Sequence, residues 1–424
     1  MNTIFALSSG SPPAGIAVVR ISGPAAATAL ETLASRMPLA RRAAARTLRD
    51  GDGNVLDHAL VLWLPGPHTA TGEDMAELHL HGGRAVVAAV EGALSQMEGL
   101  RRADPGEFTR RAFVNGRIDL AESEGLADLL EAETELQRRS AIAMAGGALS
   151  REIESWRERA LILSAQVEAV LDFSDEEDAA GLPDSFGIML SALREELAIW
   201  LARPRAKTLK EGFRVVLAGP PNSGKSSLFN ALLDDDAAIT SAIAGTTRDV
   251  LERSISVAGI PFTIVDTAGL RQGGGDAIER IGIERAKGAA DLADLVLWLG
   301  PEGEGPAASW EIEAKADLGL AQAKTSPRCK ISAKTGEGLD GLRELLIEEA
   351  REALPALGQA ALSERQHRLM VNAEAVLTSI DVAGDLLLTA ENLRQVRAQF
   401  DRLTGRSSTE DMLDTLFGRF CIGK

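Results

Sequence analysis

The sequence has little cysteine and no long hydrophobic stretch. It contains two cysteines, Cys329 and Cys421, which are too few for a disulfide framework and are typical of a protein kept in a reducing cytosol. No window approaches the roughly 18 consecutive apolar residues of a transmembrane helix. The N-terminal segment lacks the basic start and the apolar core of a signal peptide. These absences predict a soluble cytoplasmic protein without a membrane partner.

The sequence also lacks the positive charge of proteins that bind nucleic acid nonspecifically, since its 424 residues carry a formal net charge of −17. The charge is uneven, because residues 1–120 contain twelve arginines, no lysine and twelve acids and so sum to zero. Arginines cluster in this segment at 41–46, 101–102, 110–111 and 117. They predict either a local docking site for an anionic partner or a solvated surface, and composition alone favours the solvated surface.

The hydrophobic pattern changes along the chain. Residues 3–115 mix short apolar runs, typical of strands, with a helix after the turn "HGG". The pattern becomes helical near 117, switches to alternating strands and helices at 212, and is helical again after about 347. We interpret this as a helical domain interrupted by an inserted α/β domain, because insertion at exposed loops is well tolerated. The predicted domains are residues 1–116, 117–208, 209–348 and 349–424.

The strongest motif is "GPPNSGKS" at residues 219–226. It fits G-x-x-x-x-G-K-[ST], follows an apolar strand and opens a helix, which is the context that a P-loop requires. Its glycines let backbone N–H groups converge on phosphate oxygens, and the helix N-terminus adds its positive end. Lys225 is expected to reach the β- and γ-phosphates, and the Ser226 hydroxyl is expected to ligate Mg²⁺.

Three shorter motifs follow in an order that resembles the small GTPases and not the ATPases. "AGTTRD" at 244–249 offers Thr247 as a second Mg²⁺ ligand. "DTAG" at 266–269 puts an aspartate at the end of an apolar strand, near the expected Mg²⁺. "SAK" at 332–334 is similar to the loop that closes over a guanine ring.

The motif that reads guanine in such proteins, N-K-x-D, is altered here to "AKAD". Lys315 and Asp317 are present, but Ala314 replaces the asparagine. Lys315 could still stack on the ring, and Asp317 could still accept hydrogen bonds from its N–H groups. Loss of the asparagine should weaken the fixation of the loop, so guanine specificity stays open.

Several segments match a known family in combination. They are "GPPNSGKSSLFNALL", "IAGTTRDV", "DTAGLR", "ERIGIERA", "PGEFTRRAFVNGRIDLAESEGLADLL" and the C-terminal "CIGK". Together they resemble the family of tRNA-modification GTPases called MnmE or TrmE. The resemblance runs from residue 3 to residue 424, and the combination of "RISG", an inserted GTPase and a C-terminal C-x-G-K is highly specific.

The resemblance implies a multidomain fold with an N-terminal α+β domain similar to folate-binding aminomethyltransferases, a discontinuous all-α domain, and an inserted α/β P-loop GTPase. It implies a homodimer whose GTPase domains meet when GTP and K⁺ are bound, which activates hydrolysis. With an FAD-dependent partner of the MnmG (GidA) type, in a heterotetramer, the family adds an aminomethyl or carboxymethylaminomethyl group to C5 of the wobble uridine of certain tRNAs. The one-carbon unit comes from a formyl- or methylene-tetrahydrofolate.

Position by position, the resemblance implies K⁺ ligands at Asn222, Ser241, Ile243 and Thr246. A monovalent cation can supply the charge that an arginine finger supplies elsewhere. The residues expected to contact GTP are Asn222, Ser223, Gly224, Lys225, Ser226, Ser227, Ser241, Ala242, Ile243, Ala244, Gly245, Thr246, Thr247, Asp266, Thr267, Ala268, Gly269, Lys315, Asp317, Ser332, Ala333 and Lys334.

Glu279 in "AIERIG" matches the family's acid that orients the attacking water. The segment "LRQGGGDAIERIG" is one residue longer than the usual spacing, and a glycine-rich switch can absorb such an insertion. Glu279 is therefore predicted to be catalytic, and the alternative is a charge on a surface helix.

For the folate, the resemblance implies contacts from Arg20, Glu77, Arg117 and Lys424. Arginine or lysine can pair with the carboxylates of a folate, and glutamate can accept hydrogen bonds from the N–H groups of its pterin. Arg117 stands where the family more often has lysine, which keeps the charge. Taken singly, each residue could also belong to an ordinary surface ion pair.

The C-terminal "FCIGK" places the thiol of Cys421 at the fourth position from the end. A prenylation box fails here, because Gly423 fills an aliphatic position and the chain ends in lysine. The resemblance implies that Cys421 lies near the one-carbon chemistry and Lys424 at the ligand, with Gly423 letting the last residue turn inward. Cys421 is predicted to be catalytic, although a structural thiol is the alternative, since reactivity depends on the pKa environment.

Two other functions compete with tRNA modification. A GTP-switched RNA or ribosome assembly factor would need an RNA-binding module, such as a KH-type GXXG loop with a basic face, and none is evident in the sequence. A folate-dependent aminomethyltransferase regulated by a GTPase would share the N-terminal residues but act on a protein or a metabolite. Folate binding separates the assembly factor from the other two, and the acceptor separates those from each other.

Overall fold

The chain divides into two compact units, Met1–Ala127 with Asp401–Lys424, and Asp128–Phe400. The domain boundaries predicted from the sequence stay a prediction. In the part of the chain described here, no helix is both long and apolar enough to cross a membrane. The structure, a computed structural model, describes residues 2–172, 181–234, 251–267, 288–289, 291–319, 324–407 and 409–424.

The described residues of the first unit form a six-stranded sheet with the strand order β3-β4-β5-β2-β1-β6. Its neighbouring strands are antiparallel, except that β1 and β6 are parallel. The elements are β1 (Thr3–Leu7), β2 (Ile16–Ser22), α1 (Ala26–Ala34), β3 (Ala44–Arg49), β4 (Val55–Leu64), β5 (Met75–His81), α2 (Arg84–Ser95) and β6 (Leu100–Arg102).

The main core of the first unit lies on one face of this sheet. Alternate residues of β2, namely Ala17, Val19 and Ile21, pack there against apolar side chains of α1 and α2. Because successive side chains of a strand point to opposite faces, Arg20 lies on the other face. The short strands and the helix after "HGG" that the sequence predicts within residues 3–115 are confirmed.

A run of helices follows the first sheet. These are α3 (Glu107–Val114), α4 (Leu120–Glu131), α5 (Glu135–Ala145), α6 (Ala148–Asp172), α7 (Asp184–Leu201) and α8 (Ala206–Glu211). Trp156 of α6 is fully buried and packs edge-on against Trp200 of α7, with ring centroids 6.1 Å apart. Thr134 starts α5 with a capping box, in which its side chain accepts from the backbone of Gln137. Apolar packing and capping thus account for these helices.

The second unit contains a sheet with the strand order β12-β11-β10-β7-β9-β8 among its described residues. All neighbouring strands are parallel except β8 and β9. All seven positions of β9 are buried, as expected of a strand covered on both faces. The elements are β7 (Phe213–Ala218), α9 (Lys225–Asp234), β8 (Leu251–Val257), β9 (Ile260–Asp266), β10 (Leu295–Trp298), β11 (Trp310–Glu313), β12 (Cys329–Lys330) and α10 (Leu339–Ala353).

The C-terminal helices are α11 (Glu364–Ser379), α12 (Leu386–Thr404) and α13 (Glu410–Phe417). Helix α13 belongs to the first unit, where Leu413 and Phe417 pack against Leu120. The predicted fold class is confirmed: an N-terminal α+β domain, a helical domain divided in the sequence, and an α/β P-loop domain inserted into it.

Candidate functional site

The P-loop runs from Gly219 to Gly224, between β7 and α9. Gly219, Asn222 and Gly224 have positive φ angles of 149°, 61° and 105°. A Cβ at Gly219 would lie 3.0 Å from the Ser223 Oγ and 3.1 Å from the backbone nitrogen of Gly300, so a larger residue would be strained there. The Ser223 Oγ is itself buried and finds no hydrogen-bond partner within the described residues. The loop therefore holds a buried donor that suits a phosphate oxygen.

Lys225 lies at the first position of α9 and is only 5% exposed. Its Nζ donates to the carbonyl of Gly219 at 2.9 Å and to that of Pro220 at 2.7 Å. The ammonium group is thus held against the loop, where a nucleotide phosphate would compete for it with a full negative charge. Charge-assisted hydrogen bonds to phosphate are stronger than those to carbonyls, so this lysine is positioned to exchange partners.

Ser226 and Asp266 come from different elements and meet at the end of the sheet. The Ser226 Oγ donates to the Asp266 Oδ2 at 2.7 Å. Asp266 ends β9, opposite Leu217 of β7, and is fully buried. Thr267, next in the chain, donates to the carbonyl of Leu217 at 2.8 Å and fixes this turn. Hydroxyl and carboxylate oxygens are the hard donors that Mg²⁺ prefers.

The "AKAD" segment contacts the P-loop. The Lys315 Nζ donates to the carbonyl of Asn222 at 2.5 Å, and Ala314 lies beside the loop, with its Cβ 3.4 Å from where a Cβ on Gly224 would stand. Asp317 accepts a hydrogen bond from the buried Ser332 Oγ at 2.7 Å. The structure therefore brings together the P-loop, the altered N-K-x-D segment and the start of "SAK".

Three residues predicted to contact the nucleotide are partly or largely exposed to solvent. Ser227 is exposed in α9, Ala333 is half-buried and Lys334 is exposed in the turn after Ser332. Ten other predicted residues lie outside the described residues. They are Ser241, Ala242, Ile243, Ala244, Gly245, Thr246, Thr247, Ala268, Gly269 and Glu279.

Two of the predicted folate residues form an ion pair in the first unit. Arg20 of β2 stands directly opposite Glu77 of β5, and its Nε and Nη2 donate to the Glu77 Oε1 at 3.1 and 3.0 Å. His79 Nε2 lies 3.3 Å from the Glu77 Oε2, and the guanidinium carbon of Arg20 lies 5.9 Å from the centroid of the Phe108 ring. Sequence reasoning missed His79 and Phe108. The two-residue spacing between Glu77 and His79 could have identified His79, because it places both side chains on one face of the strand.

The C-terminal turn lies against the end of β1. Gly423 has a φ of 92°, and a Cβ there would stand 2.1 Å from the carbonyl oxygen of Leu7. The backbone N–H of Lys424 donates to the carbonyl of Cys421 at 3.2 Å, and the Cys421 residue is exposed. Because Ala6 pairs with Arg20 in the sheet, the turn lies close along β1 to the Arg20–Glu77 pair.

Arg117 stands apart from this pair. Its Cγ lies 3.2 Å from where a Cβ on Gly72 would be, and its backbone N–H donates to the carbonyl of Ala112 at 2.8 Å. Within the described residues, no hydrogen bond or ion pair joins the side chain of Arg117 or Lys424 to Arg20 or Glu77. The four predicted folate residues are therefore divided between one ion pair and two separate cations.

Comparison with known proteins gives a consistent result. The family described as "GTP-binding protein TrmE N-terminus" matches residues 3–117, and the "MnmE helical domain" matches residues 120–421. The protein named tRNA modification GTPase MnmE from Erythrobacter litoralis is 62% identical over 424 residues and covers 100% of both chains. The protein of that name from Novosphingobium aromaticivorans is 62% identical, again with 100% of both chains covered.

Among solved structures, the G domain of the T. maritima FeoB iron transporter covers 32% of this chain and 98% of its own, at 26% identity. Its TM-score of 0.23 is too low to compare the folds. The matches along the whole sequence decide the assignment. The chain belongs to the MnmE family of tRNA modification GTPases.

Proposed function

We propose that this protein hydrolyses GTP with Mg²⁺ and K⁺ and, with an FAD-dependent partner, adds a (carboxymethyl)aminomethyl group to C5 of the wobble uridine of certain tRNAs. A tetrahydrofolate derivative provides the one-carbon unit. The family supports GTP hydrolysis in tRNA modification. The observation that carries the nucleotide part is the 2.7 Å hydrogen bond between Ser226 and Asp266, which joins the P-loop helix to the end of β9.

In the nucleotide site, the residues have separable roles. Lys225 binds the β- and γ-phosphates, and Ser226 and Asp266 are the residues that would hold Mg²⁺. When bound, Mg²⁺ would supply positive charge beside the phosphates. Asp317, positioned by Ser332, accepts hydrogen bonds from the N–H groups of guanine. The buried Ser223 Oγ, which has no hydrogen-bond partner among the described residues, supports an anionic ligand in the loop.

The K⁺ site rests on Asn222 within the described residues. The Asn222 residue is exposed, and its side-chain amide makes no hydrogen bond in the part of the chain that the structure describes. An amide oxygen is a suitable ligand for a hard monovalent cation. The cation would place positive charge beside the phosphates. The remaining proposed ligands, Ser241, Ile243 and Thr246, and the proposed catalytic acid, Glu279, lie outside the described residues.

The folate site rests on the Arg20–Glu77 pair and on the C-terminal turn. Glu77 accepts from the pterin, while Arg20, Arg117 and Lys424 provide positive charge for the carboxylates. Docking of Gly423 against β1 supports a position for Cys421 near the same face of the sheet. We further propose that the protein acts in the cytoplasm as a homodimer and forms a heterotetramer with its FAD-dependent partner.

The test is nucleoside analysis of total tRNA from a strain that lacks the gene. We expect the modified wobble uridine to disappear in the deletion strain and to return with the wild-type gene. Copies that carry Lys225→Ala or Cys421→Ser should fail to restore it, because the first loses phosphate binding and the second loses the thiol. An unchanged nucleoside profile in the deletion strain would contradict the proposal and favour a GTP-switched assembly factor.

Two binding assays on the purified protein test the proposed nucleotide site and the proposed folate site separately. Lys225→Ala should lose GTP binding and retain binding of a tetrahydrofolate. Glu77→Gln should show the opposite pattern, because it replaces the carboxylate proposed to accept from the pterin with a neutral amide that has one acceptor oxygen. Normal folate binding by Glu77→Gln would remove this residue from the proposed pocket.

A further inference from the structure

Two groups of arginines in the first unit differ in their partners. The four in the later clusters are each paired with at least one carboxylate, and they are Arg101, Arg102, Arg110 and Arg111. The other set has no carboxylate oxygen within 4.0 Å of its guanidinium nitrogens among the described residues. We name this second set the arginine edge, and it consists of Arg36, Arg41, Arg42, Arg46 and Arg49.

The arginine edge follows the outermost strand of the sheet. Arg46 and Arg49 lie in β3, and β3 pairs with β4 on one side only among the described strands. Arg41 and Arg42 lie in the turn just before β3. The Arg46 Nε donates to the carbonyl of Arg36 at 3.2 Å, which brings that fifth arginine to the same edge. At about 3.3 Å per residue, the segment from Arg41 to Arg49 spans at most roughly 26 Å.

Backbone carbonyls position these guanidinium groups without cancelling their charge. The Arg41 Nη2 donates to the carbonyl of His68 at 2.5 Å. The Arg49 Nη1 donates to the carbonyl of Gly53 at 2.8 Å. A guanidinium has five N–H donors in a planar fork, so each of these arginines keeps donors for a second, anionic partner.

The backbone at Arg41 is in a conformation that such a residue seldom adopts. Its φ is 60°, in the left-handed region, and its N–H donates to the carbonyl of Trp63 at 2.8 Å. Non-glycine residues with positive φ are uncommon, and they persist where the surrounding structure holds them. Here the strained turn keeps two consecutive arginines, Arg41 and Arg42, exposed at the edge.

The acids nearest in the chain do not neutralise this edge. Asp50 accepts hydrogen bonds from the backbone of Asp52 at 3.0 Å and of Asn54 at 2.8 Å, so its carboxylate serves the β3–β4 turn. Glu31 is exposed on α1, and Asp52 is exposed in the turn. None of the three lies within 4.0 Å of an arginine nitrogen among the described residues.

We infer that the arginine edge binds the phosphate backbone of tRNA, an inference that rests on the proposed function for the identity of the nucleic acid. The chain as a whole carries a net charge of −17 and repels a polyanion, so binding requires a local surface of unneutralised cations. Guanidinium groups suit phosphate, because they can donate two parallel hydrogen bonds. Charged residues also protect an edge strand from pairing with other sheets, and the experiment below separates these roles.

The test compares two triple variants that remove the same charge. Arg41→Gln, Arg42→Gln and Arg49→Gln are combined in the first variant. Arg351→Gln, Arg368→Gln and Arg394→Gln, exposed helix arginines of the second unit, are combined in the control. Binding of labelled tRNA by the full-length protein is measured by fluorescence anisotropy over a range of KCl concentrations.

The edge variant should bind tRNA at least about tenfold more weakly, and its slope of log K against log salt should fall by about two units, because each lost phosphate contact removes about 0.7–0.9. The control variant should bind like the wild type. Both variants should retain GTP hydrolysis and the urea unfolding profile of the wild type, which verifies folding of both units. Equal tRNA binding by the two triple variants would overturn the inference. So would loss of binding to anionic phospholipid vesicles with unchanged tRNA binding.

Failure of this inference can be distinguished from failure of the proposed function. If the deletion strain lacks the modified wobble uridine but the edge variant binds tRNA normally, the proposed function stands and the docking surface is wrong. If the deletion strain has an unchanged nucleoside profile, the proposed function is contradicted. The anisotropy measurement then still tests whether the arginine edge binds tRNA.

Discussion

The backbone N–H of Leu136 donates to the carbonyl of Gly259 at 3.1 Å, and this joins the start of α5 to the turn between β8 and β9. Leu136 is buried in the core of the α/β sheet, although it lies more than seventy residues before the P-loop in the sequence. Strand β9 continues from this turn to Asp266 at the nucleotide site. The helical segment is therefore packed into the sheet on the strand that carries Asp266, the aspartate of the proposed Mg²⁺ site.

Gly259→Ala should weaken this junction. Gly259 has a φ of 79°, and a Cβ there would lie 3.2 Å from the Glu135 Cβ, which cannot move without shifting α5. We expect the free energy of unfolding to fall by about 2 kcal/mol, from backbone strain and steric overlap together. Gly303→Ala is the matched control, because Gly303 has a φ of 80° with open space around it and should lose only about 1 kcal/mol. Urea unfolding measures the free energy of unfolding of both variants. Equal losses would mean that overlap with Glu135 contributes nothing to the destabilisation.

Ser226→Ala should remove a proposed Mg²⁺ ligand and a hydrogen-bond partner of the buried Asp266. We expect GTP hydrolysis to fall by about 100-fold or more, since positioning and charge neutralisation provide most of the catalysis in phosphoryl transfer. Raising the Mg²⁺ concentration should recover part of the rate. Asn230→Ala, on the exposed surface of the same helix, should leave the rate unchanged. A wild-type rate in Ser226→Ala would exclude this hydroxyl from the metal site.

Ala314→Asn tests the altered guanine motif. Ala314 has no hydrogen-bonding side chain, so N7 of guanine gains no side-chain donor from this position. The present protein should therefore bind GTP and 7-deaza-GTP with similar affinity, whereas Ala314→Asn should favour GTP by about tenfold through one added hydrogen bond. Competition against a fluorescent GDP measures both affinities. Strong preference for GTP in the wild type would show that another group reads N7.

Gly423→Ala should release the C-terminal turn, because the new Cβ would overlap the carbonyl oxygen of Leu7. Amide hydrogen exchange in residues 421–424 should accelerate, and the proposed folate affinity should fall by about tenfold, while GTP hydrolysis should persist. Gly358→Ala is the control, since Gly358 also has a positive φ of 78° but meets nothing within 4 Å. Unchanged exchange in Gly423→Ala would mean that the turn can shift without undocking.

Glu107 should make the stability of the first unit depend on pH. Burial raises its pKa, but hydrogen bonds from Arg101, the Asp104 N–H and Arg111 outweigh burial and hold the pKa below its ordinary value. Since the folded-state pKa is lowered, this stabilisation is present above the ordinary pKa of about 4.3 and is lost as pH falls through the folded-state value. Glu107→Gln should lower the unfolding free energy at pH 7 and reduce its decline on acidification. Asp104→Asn is the control, because its side chain is 82% exposed, and it should change the unfolding free energy little. A pH profile of Glu107→Gln that parallels that of the wild type would contradict the role of Glu107.

Sequence reasoning predicted the elements that depend on local pattern. The P-loop lies between a buried strand and a helix, as predicted. This was predictable because glycine spacing, apolar runs and helix-start residues are all local features of the sequence. The family, inferred from motifs spread over the chain, is confirmed by matches over residues 3–117 and 120–421. The roles of individual site residues stay predictions, including those at the K⁺ loop and at Glu279.

The sequence by itself determined the P-loop and the order of the nucleotide motifs, because these follow from periodicity and short spacings. It determined the fold class through the resemblance of its motifs to a known family. Tertiary structure alone decided which distant side chains meet. Arg20 faces Glu77 because antiparallel register sets them opposite each other, and Asp317 meets Ser332 because β11 and β12 are neighbours. The same applies to charge, since clusters that look alike in sequence become either neutralised or unpaired according to which carboxylates the packing brings near. Register and packing depend on contacts between residues far apart in the chain, and local sequence does not specify them.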